Sequence, residues 1–187
     1  MSWLELLATI LGAICVLLLI LRIVWAFPVG IVMSVLYAVI FYEAKFYADM
    51  LLQVIYVLML TQGWYEWHRS AVASDDRIAV GRLNSNQWLA TLALTALGAF
   101  SIGSIMQTWT DAALPWLDAL TTSLSLLAQW WTNKRFLENW LIWIVADVLY
   151  LYQYYYKALY LTTGLYALYL FMAVWGYWEW KKRVVNT

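Results

Sequence analysis

The sequence is short of charge. Of its 187 residues only 12% are Asp, Glu, Lys or Arg, while 65% are hydrophobic. A soluble domain keeps roughly 25% of its residues charged to hold its surface in water. The deficit excludes an ordinary water-facing surface and leaves lipid as the medium. Long apolar stretches recur from end to end, so no separate soluble domain is left over. The formal net charge is zero, which excludes the basic surface that a nucleic-acid partner requires. Cysteine is nearly absent. A lone Cys15 inside an apolar run offers neither a disulfide nor a metal site, and packing is its expected role. The first apolar stretch has no basic leader and no small-residue cleavage site, and it is too long for a signal-peptide core. It reads as a retained helix.

Catalytic and nucleotide-binding patterns are also missing. There is no GxxxxGK[ST] loop to cradle ATP phosphates. Neither a Ser-His pairing nor a His/Glu metal cluster falls in the apolar part, so no cofactor and no enzyme activity is expected. His68 is the only histidine, and with no second ligand near it in sequence it is not a metal site.

What is present is a set of spans. A helix needs roughly 20 apolar residues to cross the hydrocarbon core. Seven stretches qualify: 3–25, 28–42, 47–67, 87–106, 114–131, 138–156 and 159–180. The second opens with Pro28, which suits a first helical turn because no backbone donor is needed there. The long polar interval from His68 to Asn86, with Arg69, Asp75, Asp76, Arg77 and Arg82, reads as a loop. Lys and Arg positions set orientation. With the Lys181-Lys182-Arg183 end in the cytoplasm, Arg22, Arg69, Arg77, Arg82, Lys134 and Arg135 also fall inside, and Lys45 and Lys157 fall outside. The expected topology is N-terminus outside, C-terminus cytoplasmic.

The third stretch ends Gly63-Trp64-Tyr65-Glu66-Trp67 and the seventh ends Gly176-Tyr177-Trp178-Glu179-Trp180, aligned at one constant offset with only the inner Trp-Tyr order swapped. The same offset pairs Tyr56 with Tyr169, Tyr47 with Tyr160, and Tyr37 with Tyr150. An interfacial aromatic belt explains tryptophans at span ends but not the shared spacing. A duplication follows: repeat one over about 3–67, a connector helix over about 87–106, and repeat two over about 114–180, within one transmembrane domain. An odd connector gives both repeats the same orientation, as in transporters whose substrate sits near the midplane between parallel halves.

Intramembrane polar residues are costly and tend to be functional. In the sixth stretch Trp140, Trp143 and Asp147 are spaced i, i+3, i+7 and share one helical face. Two indoles and a carboxylate describe a slot for a flat cation, stacked by cation–π attraction and answered by the charge. Gln53 and Gln129 are further candidates to line the cavity, with Tyr56, Tyr37 and Tyr150. Packing is the competing reading for the tryptophans, and a helix–helix hydrogen bond for Asp147 and the glutamines. Asp49 and Asp118 lie nearer helix ends, where capping is expected. Glu66 and Glu179 sit beside basic residues and suit interfacial ion pairs. No Lys or Arg lies deep in a span, so a phosphate would find no partner inside.

These residues resemble a known family. Gln53, Tyr56 and Gly63-Trp64-Tyr65-Glu66-Trp67, with Glu138-Asn139-Trp140-x-x-Trp143-x-x-x-Asp147 and a last span ending Gly-Tyr-x-x-Trp, are similar to the PnuC family of bacterial vitamin-precursor transporters. The resemblance runs from about Trp25 to Lys182. It implies an all-α, three-plus-one-plus-three arrangement similar to an enlarged SWEET transporter, often trimeric, in the bacterial inner membrane. It also implies a facilitator whose unphosphorylated vitamin is trapped by a cytoplasmic kinase. Family members that carry nicotinamide riboside commonly have Asn where this sequence has Asp147. An Asn pairs with a carboxamide in both directions, whereas a carboxylate only accepts. An aminopyrimidine, with an amino donor and a protonatable ring nitrogen, suits a carboxylate in two-point contact. Thiamine carries that ring and is the expected substrate; nicotinamide riboside is the alternative. A membrane scaffold without a cavity is a further reading, and it would bury Asp147 against another protein side chain.

Overall fold

The computed structural model describes residues 3–43, 47–73, 79–110, 113–156, 158 and 160–184. Seven helices follow one another among them: α1 (Trp3–Ile20), α2 (Ala26–Glu43), α3 (Tyr47–Ala73), α4 (Ser85–Trp109), α5 (Pro115–Asn133), α6 (Asn139–Tyr156) and α7 (Tyr160–Lys181). In lipid each segment must satisfy its own backbone, which is why apolar runs become helices. Among the described residues α1, α2 and α4 are long and apolar enough to cross a membrane by length and composition. The other four fall short of that standard of apolar composition. Their apolar average is diluted by side chains such as the Thr, Ser, Gln and Asn residues that α5 buries.

The chain divides into two compact units, residues 1–79 and 80–187. In the first, α2 packs on α1 and on α3; in the second, α4 packs on α5, α5 on α6, and α6 on α7. Cys15 is buried in the first unit and its thiol donates to the Ala26 carbonyl at 3.2 Å, a packing role.

Several helix limits differ from the sequence reading. The stretch 3–25 is not one helix: α1 stops at Ile20. Arg22 adopts the left-handed conformation, φ 57°. Its N–H donates to Leu19 O at 3.0 Å and the N–H of Ile23 reaches back to Leu18 O at 2.9 Å. These two bonds satisfy carbonyls that the helix end would leave open. Glycine normally takes this position, since other residues lose ~1–2 kcal/mol there; with arginine instead, the apolar run shows no stop. Helix α3 continues to Ala73, so the start of the expected 68–86 loop is helical. Gln62 Nε2 donates to Glu66 Oε1 at 3.1 Å and Ser70 Oγ to the Glu66 carbonyl at 3.0 Å, carrying the helix past His68. Helix α4 starts two residues before the expected 87, where Asn84 and Gln87 each accept the other's backbone N–H at 2.9 Å. That reciprocal cap is readable from an Asn three residues before a Gln. Lys45, Asp75, Asp76, Arg77, Lys157 and the Tyr47 side chain lie outside the described residues.

The α5–α6 turn has the same backbone pattern as the α1–α2 turn. Arg135, φ 62°, donates to Thr132 O at 3.0 Å, and Phe136 N–H reaches Trp131 O at 3.1 Å. Each of these positions stands to its counterpart as Gly176 stands to Gly63. The helix limits 20 and 133, 26 and 139, 43 and 156, and 47 and 160 are separated by that same offset. A short strap precedes α4. Gly81 exchanges backbone hydrogen bonds with Arg135 and Leu137 at 3.0 Å each, Leu83 N–H donates to Glu138 Oε2 at 2.9 Å, and Val80 bridges to Val184.

Candidate functional site

Helix α5 is apolar toward the outside and polar within. Thr121, Ser125, Gln129, Thr132 and Asn133 are all buried. In water this pattern would be reversed. In lipid it is favourable, because polar groups find partners inside the bundle rather than in hydrocarbon. Helix α6 answers it with an antiparallel ladder. Trp143 Nε1 donates to Thr132 Oγ1 at 3.3 Å, the Tyr150 and Ser125 hydroxyls meet at 3.1 Å, and Gln153 Nε2 donates to Asp118 Oδ1.

Asp147 stands on this ladder between Trp143 and Tyr150. It is 4% exposed, and none of the described residues gives it a hydrogen bond or ion pair. Its carboxylate lies within electrostatic reach of the Tyr150 and Tyr166 hydroxyls. An unpartnered buried carboxylate costs several kcal/mol. The scaffold reading requires a protein partner for Asp147, and none is found among the described residues.

An aromatic cluster adjoins it. Tyr150 and Tyr166 have ring centroids 4.7 Å apart, Tyr154 and Tyr166 4.9 Å, Tyr150 and Tyr154 5.8 Å, and Tyr166 and Tyr169 5.6 Å. Tyr154 and Tyr166 are not among the residues that the sequence singles out. Their signal is there, since Tyr154 follows Tyr150 by four residues on α6 and Tyr166 precedes Tyr169 by three on α7.

The other expected residues divide. Trp140 is 2% exposed and stacks edge-on with Trp180, centroids 5.4 Å apart. A Cβ on Gly176 would lie 2.7 Å from the Trp140 ring. This indole is wedged against α7. Its Nε1–H has no hydrogen-bond partner among the described residues. Trp143 is half-buried beside the core of Leu83, Ala128, Trp131 and Ile142. Gln129 donates to Asn133 Oδ1 at 2.9 Å, and by the ladder's register it lies at the level of Asp147. Asp118 is not a cap: Leu114 occupies that position without a side-chain bond, and Asp118 pairs with Gln153 across helices.

In the first unit Tyr37 is half-buried, meets Thr9 Oγ1 at 3.3 Å and stacks on Phe41. Gln53 and Tyr56 lie half-buried on α3. Thr61, Trp64, Tyr65 and His68 line an open apolar depression on the same helix. Glu179 pairs with Lys182 at 3.0 Å, as expected, and Glu66 accepts from Gln62 at 3.1 Å. Among the described residues no three metal-binding side chains converge.

A helical chain with apolar spans, a polar interior face and a buried carboxylate beside stacked rings has the makings of a membrane solute transporter. The chain belongs to the nicotinamide mononucleotide transporter family, whose sequence model matches residues 2–182. It is 28% identical to the nicotinamide riboside transporter PnuC of Neisseria mucosa, over 98% of this chain and 73% of that protein. It is 25% identical to PnuC of Escherichia coli strain K12, over 80% and 72%. A riboflavin/roseoflavin transporter, RibM of Streptomyces davaonensis, is 22% identical over 97% and 85%. The crystal structure of a vitamin B3 transporter PnuC superimposes with a TM-score of 0.80 at 26% identity, covering 98% of this chain and 82% of that one. These relatives are transporters, and this protein is a transporter rather than an enzyme.

Proposed function

We propose that this protein carries nicotinamide riboside across the bacterial inner membrane by facilitated diffusion. The observation that carries the reading is Asp147, buried without a partner among the described residues on a polar, aromatic-lined face. The nicotinamide ring is flat and cationic, and its carboxamide has N–H groups to donate. A carboxylate accepts one of them and answers the ring charge, while Trp143 and the tyrosine cluster supply π faces.

The preference for thiamine rests on Asp147 alone, and the comparisons do not support it. The nicotinamide riboside transporters above extend over most of this chain, so the alternative becomes the main reading. RibM is a reminder that one scaffold serves several vitamins, which is why substrate must be measured. A phosphorylated substrate such as nicotinamide mononucleotide is disfavoured here: no Lys or Arg stands within α5 or α6, and moving a phosphate into that interior without a cation would cost several kcal/mol or more.

The three-plus-one-plus-three duplication is part of the proposal. It is supported by helix limits and turn hydrogen bonds that recur at the offset of the Gly-aromatic motif. With it come seven membrane crossings, an external N-terminus and a cytoplasmic C-terminus, in keeping with the Lys and Arg distribution. A trimer and trapping by a cytoplasmic kinase follow from the family resemblance. Uptake into proteoliposomes tests the substrate: labelled nicotinamide riboside should enter and equilibrate, with thiamine and nicotinamide mononucleotide competing poorly. Faster entry of thiamine than of nicotinamide riboside would defeat the reading.

A further inference from the structure

From the α5–α6 ladder we infer that Gln153 and Asp118 form a hydroxyl-recognising subsite for the end of the substrate farthest from its charged ring. This deepens the nicotinamide riboside reading and rests on it.

A carboxylate only accepts hydrogen bonds, so Asp118 requires the Gln153 side chain to turn its NH2 group toward it. The geometry agrees, with Gln153 Nε2 donating to Asp118 Oδ1. The other end of the amide is thereby committed. Gln153 Oε1 is buried, in a residue only 5% exposed, and has no hydrogen-bond partner among the described residues. Leaving such an acceptor dry forfeits its hydration with nothing in return. Two α5 hydroxyls lie on the same side of the ladder, but Thr121 Oγ1 donates to the Leu117 and Asp118 carbonyls and Ser125 Oγ to the Thr121 carbonyl. Neither has a hydrogen left for Gln153. The partner that Oε1 needs is a donor brought from outside.

Placement says which donor. Asp147, Tyr150 and Gln153 follow one another at i, i+3 and i+6 on α6, and Tyr150 and Gln153 both bond to α5. Six residues of helix rise about 9 Å, close to the span of a pyridine carboxamide with a pentose on its ring nitrogen. With the carboxamide end at Asp147, the exocyclic hydroxymethyl group of the sugar reaches the level of Gln153, and its O–H donates to Oε1. The Asp118 carboxylate plays no direct part in that contact. It orients the amide, and is a positioning residue.

The test is calorimetric titration of purified wild-type protein and Gln153→Met with nicotinamide riboside and with its 5′-deoxy analogue, which keeps ring and charge but lacks that hydroxyl. Wild type should bind the riboside about tenfold tighter than the deoxy compound, the scale of one buried hydrogen bond. Gln153→Met should bind the two equally. A preference retained in Gln153→Met, or equal affinities in wild type, would overturn the subsite while leaving the substrate intact. Wild type that fails to bind nicotinamide riboside at all overturns the substrate reading, and the subsite with it. Should Gln153→Met not purify as a folded protein, the 5′-O-methyl ether of the riboside on wild type serves: it can accept but not donate, so it should bind about as weakly as the deoxy compound, and binding as tight as the parent riboside would overturn the subsite.

Discussion

Helices α1 and α2 share their limits with helices α5 and α6 one repeat later, yet the two interiors differ in chemistry. The buried positions of α1 are Ala8, Gly12, Cys15, Leu19 and Ile20; at the equivalent positions α5 buries Thr121, Ser125, Ala128, Thr132 and Asn133. On α2, Phe27, Gly30 and Ser34 are buried where α6 has Trp140, Trp143 and Asp147. The first pair is closed. A Cβ on Gly30 would come 3.0 Å from Cys15 Sγ and 3.2 Å from Leu60 Cδ1, so the helices meet through small side chains. The second pair is held by hydrogen bonds and keeps a carboxylate without a partner. One backbone thus carries a packing version and a more polar version, and in the proposed function it is the second that faces the substrate.

Exchanging residues between equivalent positions is the strongest way to break this comparison. Ser34→Asp puts a carboxylate into the closed pair, where Ser34 is 0% exposed. Helix-centre carboxylates cost about 2.5–3.5 kcal/mol to insert, so the thermal midpoint in detergent should fall sharply. The reverse exchange, Asp147→Ser, should leave the midpoint unchanged or higher and weaken nicotinamide riboside binding about tenfold to a hundredfold, the loss of a charge-assisted hydrogen bond. Equal stability losses from both would mean that the two faces are not different in kind.

The glycines sharpen the packing side. Gly176→Ala drives a methyl group against the rigid Trp140 ring, 2.7 Å from three of its carbons, and should cost about 1–3 kcal/mol by overpacking. Gly30→Ala meets a thiol and the two methyl groups of Leu60, which can yield, and should cost less. Denaturation midpoints of the two variants measured side by side give the order.

Smaller effects come from the ladder and the turns. Gln129→Val installs the residue found at Val16 and removes one intrahelical bond. Membrane hydrogen bonds average ~0.6 kcal/mol, so stability should change little, and an equally small change in affinity would show that Gln129 does not touch the ligand. Arg135→Gly should stabilise by up to ~1 kcal/mol by relieving the left-handed backbone. A drop in melting temperature would show that the arginine side chain outweighs its backbone strain.

The seven helices, their order and the repeated motif are legible in the sequence, because apolar length is a local property and a constant offset survives in the residues that anchor span ends. Asp147 is legible for a related reason: a carboxylate in an apolar run has no cheap explanation. The stop at Arg22 is not, since the left-handed residue is an arginine and only the return bond from Ile23 to Leu18 ends the helix. Nor is the division of labour among the tryptophans. Trp140 and Trp143 are alike in spacing and type, and only the approach of Gly176 and Trp180 makes the first a wedge. Asp118 looks like a cap because it sits in the first turn of α5, and its partner Gln153 lies 35 residues away. Which side chains answer one another across helices depends on register and rotation of the packed pair. A periodicity along one helix does not contain that information, and only the tertiary structure supplies it.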